Sequence, residues 1–344
     1  MDFYIMNKDS VAAKWLSGNL EIVNKSLLPL YLKNTGKTEQ WLAIRAIDHR
    51  RANARLLKKA LRLTEKDDIS TVITVNAVTI TDSYWIKPLD SDLSYHDVRF
   101  DSDYFSNLAL SGTYDSFNRV ANSKTSKTPE LTNIGSFEKC WKLKDGQWWM
   151  HKKANHDEMF SELFIYKLGT NLGFEMAEYQ RGKTAIKTRD FTNNASINFE
   201  PAYSFMDDNE DYIETLNALK VLCPDAIADY VKMLFLDTIC ANPDRHTFNF
   251  GILRDAETGN IIGLAPNFDN NMALISRGYP KINNKKDLLI ELFNDLLNYD
   301  ESLKKYIPHV SEDLIKETIK SVGMRVKSKY ITEFIMNRYA LIDR

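Results

Sequence analysis

The sequence predicts an α+β fold in which a sheet-rich lobe is followed by a helical lobe, with a small α/β extension in front. Three observations predict it. Asp145-Gly146 is a tight-turn pair between two strand-prone segments, Phe137 to Leu143 and Trp148 to Lys153, which predicts a β-hairpin. The run Glu158 to Leu172 then sets Phe160, Leu163, Phe164, Tyr166, Leu168 and Leu172 along a helix, with Gly173 as its stop. From Asp211 onward helical patterns dominate, at Ala226 to Ala241, Leu288 to Tyr299 and across Glu312 to Leu341. A sheet-rich piece followed by a helical piece implies two lobes with a cleft between them.

Residues 1–120 form the expected extension. Between residues 11 and 32, short apolar segments are separated by Gly18-Asn19 and Pro29, a pattern of small strands. Trp41 to Leu63 carries Leu42, Ile44, Ile47, Leu56, Leu57 and Leu61 and reads as one or two amphipathic helices. With Arg45, Arg50, Arg51, Arg55, Lys58, Lys59 and Arg62 it is also the most basic region of the chain. A solvated face or a surface for a protein partner is favoured there over a nucleic-acid contact, because no aromatics interleave after Trp41. Tyr84, Trp85 and Ile86 are expected to pack in the same extension. The polar segment Ser111 to Thr132, above all Asn122 to Pro129, lacks the apolar side chains to offset ordering entropy and predicts a linker or mobile loop. The boundary is placed there, giving a sheet-rich lobe over 126–205 and a helical lobe over 206–344. Further strands are expected at Ala177 to Gln180, Thr184 to Lys187 and Ser196 to Glu200.

Composition narrows the function classes. With 344 residues and 44% hydrophobic side chains, the chain can bury one substantial core or two moderate ones. Lys plus Arg number 45 against 47 Asp plus Glu, so there is no chain-wide cationic field for nucleic acid or an acidic membrane. Cys140, Cys223 and Cys240 are widely spaced and form no Cys-x-x-Cys pair, which argues against zinc and for a reducing cytoplasm. The start, MDFYIMNKDSVAAKW, lacks the basic end and apolar run of a secretory signal. Nothing approaches the roughly 20 apolar residues of a membrane helix, so no integral membrane association is expected. Cytoplasmic localisation is the expectation, with signal-independent secretion left open.

The densest chemical constellation is Asn242-Pro243-Asp244-Arg245-His246-Thr247-Phe248-Asn249, directly after an apolar helix. Pro243 interrupts the helix, so Asp244 and Asn249 can face one cavity from a loop. A second carboxylate, Asp269, follows the expected strand Ile261 to Leu264, which should pair with Phe250 to Leu253 through a loop containing Thr258-Gly259-Asn260. A hairpin returns the chain to its starting end, gathering Asp244, Asn249 and Asp269. Asn249 and Asp269 would suffice as protein ligands for Mg²⁺ when phosphates supply further oxygens, leaving Asp244 to orient and deprotonate a hydroxyl. The competing reading makes Asp244 a cap, His246 a loop brace and Asp269 a helix start. Arg245 suits a phosphate or a carboxylate, the latter being commoner in a structured loop.

Phosphate charge requires cations on the other side of a cleft. Lys152 near the end of the second hairpin strand, held by Glu162 on the following helix, is the arrangement that transition-state electrostatics needs. Glu158 is the competing partner, and a solvated lysine with a surface glutamate is the bland alternative. Upstream, Asn133-Ile134-Gly135-Ser136-Phe137-Glu138-Lys139 offers turn amides that can cover phosphates, or simply an ordinary turn, since it has one glycine.

Taken in order, the Gly135 turn, Lys152, Glu162, Asn242-x-Asp244-Arg245-His246-x-x-Asn249 and Ala265-Pro266-Asn267-Phe268-Asp269 resemble the HipA-like kinases, a bacterial branch of the protein-kinase-like superfamily. The resemblance covers residues 126–344 and implies a bilobal protein-kinase-like fold and ATP-dependent phosphorylation of a serine or threonine in a protein. It makes Asp244 the catalytic aspartate, Asn249 and Asp269 the Mg²⁺ ligands, and Lys152 the phosphate-binding lysine supported by Glu162. It places Gly135 and Ser136 at the nucleotide. Relatives can autophosphorylate in this loop, where Ser136 is the nearest candidate and Thr132 lies behind it. The stretch Ser83-Tyr84-Trp85-Ile86-Lys87-Pro88 also looks like the amino-terminal extension of compact relatives. Two departures stand out: Asp269 is followed by Asn270-Asn271 rather than completing Asp-Phe-Gly, and no Ala-Pro-Glu follows. Alternatives are therefore a phosphoinositide or small-molecule kinase, or a catalytically weak nucleotide-binding regulator whose basic stretch recruits a protein or DNA.

Overall fold

The computed structural model describes residues 1–63, 67–121 and 127–344, and its architecture is mixed α+β. Two compact units emerge. One comprises Met1–Lys153, Lys187–Glu200 and Leu253–Ile262, and the other Ala154–Ile186, Pro201–Ile252 and Gly263–Arg344.

The first unit opens with an antiparallel sheet in the order Asn19–Ile22, Ser10–Leu16, Phe3–Asn7, Tyr84–Pro88. Gly18 at φ 84° makes the tight turn between two of these strands. Tyr84, Trp85 and Ile86 are buried, as expected of three bulky residues in a strand. Trp85 joins Met6, Ile47, Leu57, Phe105 and Leu131 in one core that also takes in Trp141 and Trp148 of the hairpin. The hairpin itself forms as predicted, Lys139–Lys144 pairing antiparallel with Gln147–Lys153. Asp145 and Gly146 both take positive φ, 51° and 76°, as a two-residue turn between twisted strands requires.

Two expectations for this unit need correction. The described part of Ser111 to Thr132 is ordered: Tyr114–Val120 is a helix capped by Thr113, and Pro129–Thr132 is a buried 3₁₀ turn capped by Thr128. Its polar side chains serve as caps and turn acceptors, and Val120 and Leu131 supply enough apolar surface to anchor them. Residues 122–126 of the expected linker lie outside the described residues. The basic stretch folds into helices Thr38–Ala43 and Ala54–Ala60, yet it is not one solvated face. Arg45 is buried in a bidentate pair with Asp82 at 2.8 and 3.1 Å and also donates to the Ala77 carbonyl. Arg51 is 1% exposed and donates to main-chain carbonyls. Buried acceptors, which sequence pattern does not display, pull both guanidinium groups inside.

A second sheet runs in the order Ile261–Leu264, Gly251–Asp255, Ile197–Pro201. Arg254 pairs with Glu200 and also donates to the Leu28 carbonyl and Tyr84 hydroxyl, while Glu200 accepts the Leu30 N–H at 2.6 Å. This buried network ties the front residues to strands more than a hundred positions later.

The second unit is mainly helical. His156–Asn171 starts with a capping box in which Asn155 accepts two amide N–H groups and Glu158 reaches back to the Asn155 N–H. Ile227–Cys240 is buried along most of its length, with Phe235 against Phe293 of Leu288–Tyr299 and Tyr339 of Ser328–Ala340. Glu312–Val322 packs on His156–Asn171, where Asn171 donates to the Thr318 hydroxyl at 3.0 Å.

Candidate functional site

The site in the second unit begins where Ile227–Cys240 ends. Ala241 takes a left-handed φ of 51° and Pro243 has no N–H to continue the helix, so the chain leaves as a loop. Asp237, still on the helix, organises this loop. It accepts from the Asn242 amide at 2.8 Å and from Arg245 Nε and Nη2 at 2.7 and 2.9 Å.

Arg245 is the hub. Besides Asp237 it donates to the Asn249 and Phe268 carbonyls, each at 2.7 Å, and to the side-chain oxygens of Asn267 and Asn270 at 3.0 and 2.8 Å. Burial works against its charge, but the adjacent Asp237 carboxylate, aided by Asp269 and Glu162, holds its pKa above the ordinary guanidinium value. Of the two partners the sequence allowed for Arg245, the carboxylate is the one found.

Its bonds bring the Asp244 loop and the Asp269 segment together. Asn249 donates its side-chain N–H to the Asp244 carbonyl at 2.8 Å, which turns its amide oxygen the other way. Asp269 sits at a left-handed φ of 59°, and the Tyr179 hydroxyl accepts its N–H at 2.9 Å. Aspartate is among the non-glycine residues that tolerate this region. Asp244 is half-buried, and Asn249 is 6% exposed. His246 accepts the Phe248 N–H at 3.2 Å and braces the loop, the architectural role expected of it.

Glu162 is 1% exposed, and its carboxylate accepts the Asn270 N–H at 3.0 Å. The helix glutamate thus fixes the residue next to Asp269. Asn267 is fastened on both sides, its N–H to the Glu175 carbonyl at 2.9 Å and its carbonyl to the Ala177 N–H at 3.0 Å.

The remaining predicted residues belong to the first unit. Lys152 turns inward at 8% exposure, with its ammonium 4.7 Å from the Phe137 ring centroid, while Lys153 points outward. Gly135 takes φ 102°, and Ser136 is exposed in the same turn. Thr132 is buried and donates to the Val78 carbonyl at 2.6 Å.

Sequence reasoning missed Asp237 and Tyr179 as parts of this site, and it gave Asn267 and Asn270 no role of their own. A carboxylate in the apolar second half of a helix, five residues before Asn242 and eight before Arg245, was the signal available for Asp237. Tyr179 offered none, because its partner lies ninety residues away.

No protein-family model matches the chain, and no curated protein does. Solved structures do. A chain of the Shewanella oneidensis MR-1 toxin–antitoxin complex of HipA, HipB and its operator DNA aligns over 98% of this chain and 97% of its own, with TM-score 0.56 and 11% identity. The Helicobacter pylori proinflammatory kinase CtkA aligns over 59% of this chain and 90% of its own, with TM-score 0.43 and 16% identity. The first of these likenesses extends over nearly the whole chain and shows a remote similarity of fold to a chain of that complex. Among the described residues, no helix is long and apolar enough to cross a membrane.

Proposed function

We propose that the chain is an ATP- and Mg²⁺-dependent phosphotransferase that acts on a serine or threonine of a protein. The observation that carries this reading is the Arg245 hub, which joins the segments bearing Asp244, Asn249 and Asp269 through buried hydrogen bonds. A helix cap or a mere brace does not require those segments to be fastened to one another, whereas phosphoryl transfer needs their side chains gathered.

The donor set fits magnesium. Asn249 and Asp269 offer hard oxygens, and the Asn249 amide oxygen is oriented by the bond its nitrogen makes to Asp244. Among the described residues no group of three or more His, Cys, Asp or Glu is disposed to hold a metal. A site of one carboxylate and one amide relies on phosphate oxygens and water to complete the shell, which suits Mg²⁺. Bound Mg²⁺ and ATP supply the transferable phosphoryl group and offset its charge. Asp244 orients the acceptor hydroxyl and receives its proton. Glu162 keeps Asp269 in register through the Asn270 N–H. Lys152, on the second hairpin strand, binds phosphate oxygens with the Gly135 and Ser136 turn.

The test is transfer of label from γ-³²P-ATP with Mg²⁺, comparing the intact protein with Asp244→Asn and Asp269→Asn. Label in the intact reaction alone supports the reading; no transfer despite ATP binding supports a nucleotide-binding regulator.

A second acceptor class is favoured by one observation. Asn270 and Asn271 are 0% and 2% exposed, so the chain after Asp269 runs into the interior instead of opening the usual peptide platform. Separate recovery of protein, lipid and soluble products decides between a protein acceptor and a phosphoinositide or small-molecule one.

A further inference from the structure

Arg51 belongs to the stretch expected to face solvent or a partner, yet its guanidinium is spent on the turn that bears Gly135. Nη2 donates to the Asn133 carbonyl at 2.6 Å and to the Gly135 carbonyl at 2.8 Å, and Nε donates to Gly135 again at 3.2 Å. Two residues on, the Asn53 side chain donates to Glu138 at the far end of the same turn. The front residues thus grip the turn at both ends, within one unit of the fold.

A trans peptide is planar, and its C=O and next N–H point in opposite directions. With the Asn133 and Gly135 carbonyls drawn in to Arg51, the N–H groups of Ile134 and Ser136 point away from it. Both residues are exposed, and among the described residues neither N–H donates to a protein acceptor. Two outward amides on one turn can offer donors to an anion.

The charges around it agree. Lys139 and Lys152 stand directly opposite on the hairpin, so their side chains share a face. Two cations on one face raise the local positive potential and favour an anion beside them. Lys139 also closes over the turn: a Cβ built on Gly135 would lie 2.7 Å from its ammonium nitrogen. Gly135 is therefore required by its φ of 102°, whereas the lysine tip above it can step aside.

We propose that Arg51 is a positioning residue that presets the Ile134 and Ser136 amides to receive the phosphates of a nucleoside triphosphate. This deepens the phosphotransferase reading and rests on it. The extension then acts as a structural part of the nucleotide site.

Calorimetric titration with ATP and with adenosine, on the full chain, tests it. Arg51→Met is expected to weaken ATP about tenfold and leave adenosine unchanged, with Arg51→Lys between the two because one ammonium can hold one carbonyl. If Arg51→Met fails to fold, by its melting curve, Arg51→Lys carries the comparison. Unchanged ATP affinity in a folded variant overturns the inference, as does an equal loss for adenosine, which marks a general structural role. Lys152→Met separates the two levels. If it weakens ATP while Arg51→Met does not, only the Arg51 inference falls. An intact protein that binds ATP no better than adenosine removes the nucleotide reading and the inference with it.

Discussion

The Asp237 carboxylate and the Arg245 guanidinium face each other through two hydrogen bonds of 2.7 and 2.9 Å, with side chains 1% and 2% exposed. One residue lies in the last turn of a helix and the other in the loop beyond it. Removing one partner of such a pair leaves the other charge buried and uncompensated, which costs about 3–5 kcal/mol. Asp237→Asn is expected to lower unfolding free energy by that order, read by urea denaturation. A loss under about 1 kcal/mol would show that the hub does not hold the loops.

Asp244→Asn and Asp269→Asn should separate proton transfer from metal binding. The first keeps the shape of the loop, so ATP affinity should stay within about threefold while turnover falls roughly 10²–10⁴-fold. On the proposed reading the second removes a ligand charge and should raise the Mg²⁺ concentration needed for ATP binding. Loss of nucleotide binding in both variants alike assigns the two residues a shared structural role.

Glu130 makes stability depend on pH. Its carboxylate is fully buried, accepting from the Trp141 N–H at 2.8 Å and Asn133 at 3.0 Å, and burial pushes its pKa up to about 7, against hydrogen bonds and the Arg51 charge. A carboxyl with a raised pKa stabilises the fold fully below its unfolded value, near 4.5, and loses that contribution as pH climbs to about 7. His151 acts oppositely: burial, then Lys142 and Lys187, hold its pKa down at about 4, so its contribution is present above about 6.5 and fades as pH falls. The two slopes oppose each other in the intact protein. Glu130→Gln should therefore gain stability relative to wild type between pH 5 and 7, on the order of 3 kcal/mol across the window. Melting curves at several pH values that run parallel for the two proteins would contradict this.

Gly259 closes the turn between the strands Gly251–Asp255 and Ile261–Leu264. It has φ 74°, and a Cβ there would lie 1.8 Å from the Ser26 carbonyl oxygen. Backbone cannot step aside as a side-chain tip can. Gly259→Ala should cost about 2 kcal/mol or more in thermal denaturation. Gly263, with no atom within 4 Å of a built Cβ, is the control and should tolerate alanine far better.

Local chemistry on this chain was legible in order. Asp145-Gly146, the helix Glu158 to Leu172 and the interruption at Pro243 rest on interactions within a few residues, and the observed elements begin and end within a few positions of those expected. The motif residues were legible for the same reason, since Asp244, Asn249 and Asp269 flank one hairpin whose return is a local event. Polar segments are ambiguous in sequence because the same threonine solvates a linker or caps a buried turn, and Thr128 and Thr113 do the latter.

By itself the sequence determined the α+β order and the turns, and it offered a list of candidate residues for chemistry. Only the tertiary structure decided which of them are spent on holding the others. Arg45, Arg51, Arg245 and Arg254 look alike in a sequence, yet each is buried on partners set by the fold: Asp82, the Asn133 and Gly135 carbonyls, Asp237 and Glu200. A guanidinium goes inside only where oriented oxygens replace its water, and those oxygens come from main chain and carboxylates up to 88 positions away from Arg51 and 228 from Arg254. Pairing over such separations depends on how the elements pack, which no local pattern records.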